Sequence, residues 1–136
     1  MLLIGVAGAN ALARERVAKA MKAAGVCGVS VYIDAPKQQG VSPRNAQRRL
    51  KHMNEMIAAT PAKGAECLVV AHVVHEAQAL RIRELGGYVV HVEGVPSDEV
   101  PIKRGDLLVT ATVGGNRHFI DGEAALSQLW VSKGAA

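Results

Sequence analysis

The chain has 136 residues, 49% of them apolar and only 3% aromatic, with a formal net charge of +4 and a pI of 9.3. A single domain of that size buries a core without cross-links, and a core so poor in aromatics must be aliphatic, which suits a buried parallel sheet with helices packed on it. No run approaches the ~20 apolar residues that span a bilayer, Met1 leads into an apolar stretch without a basic leader, and two cysteines, Cys27 and Cys67, are too few for a disulfide framework. The expectation is one cytosolic domain over 1–136, with both thiols reduced in the core. Its modest positive charge fits ordinary solubility as well as a phosphate-bearing ligand or nucleic acid.

The organising stretch is the first, Met1 to Gly25. Leu2-Leu3-Ile4 reads as a strand, Gly5 and Gly8 mark a turn, and Ala13, Val17, Ala20, Met21 and Ala24 recur at helical spacing. Strand, glycine turn and helix together form a unit whose amide groups converge on a phosphate at the helix N-terminus. A working P-loop reads Gly-x-x-x-x-Gly-Lys-Ser/Thr. Counted from Gly8, this chain offers Gly8-Ala9-Asn10-Ala11-Leu12-Ala13-Arg14-Glu15, with Ala13 for the second glycine, Arg14 for the lysine and no hydroxyl for magnesium.

Gly25 is placed to cap the first helix. Val26 to Ile33 reads as the second strand and stops at Asp34-Ala35-Pro36; Lys37 to Val41 is a polar loop. Ser42-Pro43 starts a helix whose apolar stripe is Ala46, Leu50, Met53 and Ile57, with Arg44, Arg48, Arg49, Lys51 and His52 on its other faces. Lacking interleaved aromatics, that basic surface reads as a solvated face rather than a nucleic-acid reader. Glu66 to Val74 holds a central strand, Val74 to Leu85 a helix ended by Gly86-Gly87, and Tyr88 to Val92 a fourth strand. Leu107 to Val113 is a fifth strand, Gly114-Gly115-Asn116 a turn, Arg117 to Ile120 a short extended segment, and Asp121-Gly122 precedes a last helix bearing Ala125, Leu126 and Leu129. Strands alternating with helices predict a three-layer α/β fold with a mostly parallel, five-stranded sheet and a ligand crevice at the carboxyl ends of the strands. His72 and His75 are three apart beside Glu76, but no HExxH pattern accompanies them and no metal site is expected. His91 reads as a core or edge residue.

Several stretches together resemble the deoxynucleoside monophosphate kinases of bacteriophages, a P-loop family. Leu3-Ile4-Gly5-Val6-Ala7-Gly8 with Ala13-Arg14-Glu15-Arg16-Val17-Ala18 is similar to the family's opening strand and its Gly-Lys-Asp-Thr-Val-Ala. Ile33-Asp34-Ala35-Pro36-Lys37 resembles its Ala-Asp-Pro-Leu-Lys, and Ser42-Pro43-Arg44 with Gln47 its Thr-Pro-Arg helix start. His75-Glu76-Ala77, Leu85 to Val90, and Ile120-Asp121-Gly122 with Leu126 continue the likeness, in order, over most of the chain. The resemblance implies a P-loop NTPase fold of the nucleoside monophosphate kinase kind. It places Gly8, Asn10, Ala13, Arg14, Glu15 and Arg16 at the phosphate loop, and Asp34, Lys37 and Arg44 on the nucleotide side of the crevice.

Departures from the family fall on the residues that act. Gly-Lys-Asp-Thr has become Ala13-Arg14-Glu15-Arg16, and Asp-Val-Arg-Phe has become Val70-Ala71-His72-Val73. The substrate-covering stretch is cut to Pro61-Ala62-Lys63-Gly64-Ala65. Phosphoryl transfer asks the protein for positioning and charge neutralisation, so these changes remove most of what it supplies. The expectation is a pseudoenzyme of phage origin with no catalytic residues, no metal and no cofactor, acting through a protein partner, a homo-oligomer or residual nucleotide or anion binding. An active kinase using ATP and Mg²⁺ is the alternative. Arg14, Arg16, Lys19 and Lys22 read either as a solvated helix face or as the remains of an anion site.

Overall fold

The computed structural model describes residues 1–24, 28–36 and 42–135. The cap expected of Gly25, the environment of Cys27 and the loop position of Lys37 lie outside them. Six strands, β1 (Leu2–Ala7), β2 (Val29–Tyr32), β3 (Cys67–Val70), β4 (Tyr88–Val92), β5 (Leu107–Thr110) and β6 (Ile120–Asp121), form one sheet in the order β2-β3-β1-β4-β5-β6. Every pairing between them is parallel. Among the described residues four helices cover it, α1 (Ala11–Ala24), α2 (Pro43–Ala59), α3 (Glu76–Glu84) and α4 (Gly122–Ala135), with a short 3₁₀ turn at Pro61–Lys63.

β1 lies inside the sheet, hydrogen-bonded to β3 on one side and β4 on the other. All six of its residues are buried, so its side chains serve both faces. Leu2, Ile4 and Val6 join Val17, Ala18 and Met21 of α1 and Ala125, Leu126 and Leu129 of α4 in one aliphatic cluster. Leu3 and Ala7 point the opposite way, to Met53 of α2 and Ala79 and Ile82 of α3. This period-two alternation fixes the three layers. Val109 carries the first cluster across to β5, and Cys67, at the start of β3, is buried there with its thiol pushed up to about 11 by desolvation.

The helix starts follow local chemistry. Ser42 caps α2 by accepting from the Asn45 N–H at 3.2 Å, with Pro43 opening the first turn. His75 caps α3 through Nδ1, which accepts from the Ala77 N–H at 3.1 Å. Asp121 caps α4 through the Ala124 N–H at 2.8 Å, and its other oxygen accepts from the Gly114 N–H at 2.9 Å. Those two amides hold the Asp121 carboxyl below its ordinary range.

The sheet has six strands where the sequence led us to expect five. The sixth pairs Val109 with Ile120 and Thr110 with Asp121. Parallel neighbours normally need a long crossover. Here the chain returns within Ala111 to Phe119, because Gly114, Gly115 and Arg117 all take positive φ and an Asn116–Phe119 bridge closes the loop. A two-residue strand leaves too little periodicity to read, although Ile120 falls within the expected extended segment. No helix among the described residues is long and apolar enough to cross a membrane.

Tight packing between α3 and the sheet rests on Gly87, whose N–H donates to the Ile82 carbonyl at 2.8 Å. A Cβ there would stand 2.8 Å from the Leu3 carbonyl oxygen and 2.9 Å from that of Ile82. Backbone atoms cannot swing aside as a side-chain tip does. Gly87→Ala should therefore lower stability by about 1–3 kcal/mol in urea unfolding, as other overpacked sites do. A loss of only a few tenths would show that α3 shifts freely on the sheet.

Candidate functional site

A fold of this kind places its ligand crevice above the carboxyl ends of the strands, here those of β2, β3 and β1; a pocket that the structure shows lies at the other end of the sheet, between Met1, Leu2, Trp130 and Lys133. β1 ends at Ala7 and α1 begins at Ala11, so the connecting loop is only Gly8-Ala9-Asn10. Ala11, Leu12 and Ala13, which the motif frame sets in a phosphate loop, instead form the first turn of the helix. Asn10 makes this early start possible. Its side-chain oxygen accepts from the Ala13 N–H at 3.0 Å, and its carbonyl accepts from the Arg14 N–H at 3.1 Å. The Ala9 N–H donates to the Val95 carbonyl at 3.2 Å. Gly8, at φ 140°, lets the strand turn into the loop, and a Cβ there would press to 3.3 Å from that of Val92.

Arg14 is the departure from expectation that matters most. It does not lie on a solvated face: it is 3% exposed. Its guanidinium folds back into the crevice, where Nη1 donates to the Gly8 carbonyl and Nε donates to Nδ1 of His72 at 3.1 Å. On the far side of the ring, His72 Nε2 meets the Glu15 carboxylate at 2.9 Å. Because a guanidinium nitrogen only donates, Nδ1 must be the bare nitrogen and Nε2 must carry the hydrogen that Glu15 accepts.

A second arginine extends the network. Arg49 of α2 donates through Nη2 to the Asp34 carbonyl at 2.6 Å and to the His72 carbonyl at 3.2 Å, while Nη1 lies 3.6 Å from the Asp34 carboxylate. It is 5% exposed, not part of the solvated basic surface expected of it. Its Nε is buried and has no hydrogen-bond partner among the described residues. Tyr32 donates to the Asp34 carboxylate at 3.4 Å, and burial with that neighbouring charge raises the phenol. The bonds thus run Asp34, Arg49, His72, Arg14, Gly8, from the end of β2 past the end of β3 to the end of β1.

Of the residues expected at the site, Gly8, Asn10, Ala13, Arg14 and Glu15 meet at the start of α1, and Asp34 joins them through Arg49 and His72. Arg16 and Arg44 are exposed. Lys37 is outside the described residues. His72 and His75 have different partners, one bonded to Arg14 and Glu15, the other capping α3. His91 is buried, its Nε2 2.7 Å from Asp106, which also accepts from Arg83 at 2.6 Å. Sequence reasoning did not bring His72 and Arg49 into the site. Spacing carried a signal for the arginines: Arg14 precedes Val17 and Ala18 by three and four, and Arg49 follows Ala46 by three and precedes Met53 by four, both on buried stripes.

Desolvation pushes the His72 proton affinity down, Arg14 and Arg49 add to that, and the bond to Glu15 opposes it. The same bond is the main reason the Glu15 carboxyl sits below its ordinary value. Burial, then Arg49, lowers the hold of Arg14 on its proton, with Glu15 acting against both. A guanidinium nevertheless stays charged in proteins.

No protein-family model matches the chain. No curated protein matches it either. Among solved structures it is similar to the hexameric APS kinase from Thiobacillus denitrificans, with a TM-score of 0.53 and 15% identity over 96% of this chain. The match covers 28% of that protein's chain, so this one spans little more than a quarter of its length. At such identity the likeness establishes the fold, a P-loop kinase-like α/β fold with a parallel sheet.

The buried imidazole gives stability a definite pH dependence. An unfolded histidine takes up a proton near pH 6.5, whereas the native site resists protonation to a lower pH. The unfolded state then binds more protons in that window, and stability falls as pH drops from about 6.5 toward the native value. Urea midpoints measured from about pH 7.5 downward should fall for the natural chain. The His72→Gln variant should show a flatter slope, and equal slopes would contradict the assignment.

Proposed function

We propose that this chain is a degenerate relative of the phage deoxynucleoside monophosphate kinases it resembles, one that has given up phosphoryl transfer and acts in the host cytoplasm by binding. The observation that carries the reading is the inward turn of Arg14. The cation standing where the family has its phosphate-binding lysine is held by the Gly8 carbonyl and His72 of its own chain. Three further features support it. A connection of three residues, Gly8-Ala9-Asn10, is too short to wrap a triphosphate with the four residues a P-loop sets between its glycines. Where a hydroxyl would ligate magnesium, Glu15 carries a carboxylate bonded to His72. His72 itself stands in the stretch where the family has Asp-Val-Arg-Phe.

Phosphoryl transfer depends on amides, a lysine and a metal that neutralise the β and γ oxygens together. With the arginine engaged inside the protein, that neutralisation is missing. Binding then falls to a protein partner, to a second copy of the chain or to a residual nucleotide or anion. The similar APS kinase is itself hexameric, which agrees with the second of these without deciding it.

A coupled assay with ATP, Mg²⁺ and each deoxynucleoside monophosphate tests the reading. No turnover is expected, and a kcat at or above ~1 s⁻¹, within the range of ordinary enzymes, would contradict it. The thermal midpoint should not rise with Mg·ATP. A rise abolished by Arg14→Ala would favour a divergent active kinase, and a rise with nucleotide alone would mark binding without turnover.

A further inference from the structure

Two bonds define the state of His72. Arg14 Nε reaches Nδ1 at 3.1 Å and can only donate, so the ring is held as the neutral Nε2–H tautomer with that hydrogen on Glu15. A further proton has one place to go, the Nδ1 lone pair that Arg14 already uses. Its arrival would set an N–H against an N–H and an imidazolium against a guanidinium at hydrogen-bond distance. The bond to Arg14 cannot survive this, while the bond to Glu15 becomes a charged pair.

We propose that His72 is a proton-operated latch: neutral, it holds the Arg14 guanidinium inside the crevice, and protonated, it lets Arg14 go. The groups facing the ring from the surrounding elements set this balance. From α1 come Arg14 and Glu15, with Lys19 acting on Glu15; from α2 comes Arg49, bonded to the His72 carbonyl; after β2 comes Asp34, which pairs with Arg49. Around a protonated ring, two guanidinium groups stand against one direct carboxylate. Arg14 is the mobile member, since Arg49 is tied to two carbonyls and lies beside the Asp34 carboxylate. Once released, Arg14 keeps, among the described residues, the Gly8 carbonyl alone, and the desolvation cost of burying a cation draws it toward water. Acidification then adds an accessible guanidinium to the crevice mouth. This inference rests on the reading of the crevice as a binding surface and names what regulates it.

The test is an NMR titration of the full ¹⁵N-labelled chain, following the His72 ring nitrogens and the Arg14 Nε–H. At about pH 8 His72 should show the Nε2–H tautomer, with the Arg14 Nε–H protected from solvent exchange. As His72 takes up its proton, the Arg14 signal should shift in the same step and exchange about tenfold faster or more. Glu15→Gln keeps a hydrogen-bond acceptor but removes the charge that favours the imidazolium, so both changes should move together to lower pH. In His72→Gln the Arg14 exchange should lose its step. An Arg14 Nε–H that stays protected while His72 titrates, an Nδ1–H tautomer at high pH, or a Glu15→Gln titration that does not move would each overturn the latch. Kinase turnover would remove the binding reading but would leave this titration unchanged, so the two failures can be told apart.

Discussion

A guanidinium carried into the crevice of a parallel sheet cannot be left there unpartnered, and the arrangement around Arg14 follows from that constraint. Removing a buried charge from its partners costs about 3–5 kcal/mol, so the acceptors must be fixed in place. The Gly8 carbonyl is one, presented by a backbone that only a glycine adopts with ease. His72 Nδ1 is the other, and it serves only while it is bare. Glu15 completes the set by accepting the remaining ring hydrogen, which places a negative charge one imidazole away from the buried positive one. Arg14, His72 and Glu15 are thus one charge-compensated unit. Neither the tautomer of the ring nor the rotamer of the arginine can change alone.

The rest of the fold holds that unit in position. β1 and β3 are adjacent and paired from Leu2–Cys67 to Gly5–Val70, which brings Gly8 and His72 to the same end of the sheet. The Val73 N–H donates to the Val6 carbonyl at 2.9 Å, extending the contact past the end of β3. α1 is anchored by Val17, Ala18 and Met21 in the core, and its early start at Ala11 brings Arg14 within reach of Gly8. On the other flank, Glu93 accepts from Thr110 and from Asn116, each at 2.6 Å, tying the loops after β4 and β5 together near the Ala9–Val95 contact.

Much of this architecture was legible in the sequence. Buried strands of Val, Leu and Ile between helix-period segments announced a parallel sheet, and Ser42-Pro43 announced the start of α2 through a cap that depends on two residue types. β4 runs from Tyr88 to Val92 as its β-formers indicate. The site was less legible because its chemistry depends on pairings between distant residues. Matching Gly8 to Glu15 against a phosphate-loop frame set Ala11 to Ala13 in a loop, whereas an Asn at position 10 caps a helix that starts early. Arg49 looked like a solvent-facing charge, and Arg14 like either a solvated face or the remains of an anion site, although their spacing set both on buried stripes. His72 lies 58 residues from Arg14, and no local pattern connects the two.

The inward turn of Arg14 onto the Gly8 carbonyl and His72 is the feature on which the proposed function rests. A crystal structure grown from concentrated sulfate with Mg·ATP present tests it most directly. Arg14 should be turned inward on the Gly8 carbonyl and His72, with no triphosphate over residues 8–16. Mg·ATP seated there with Arg14 swung out onto its phosphates would mean that the phosphate site is still open.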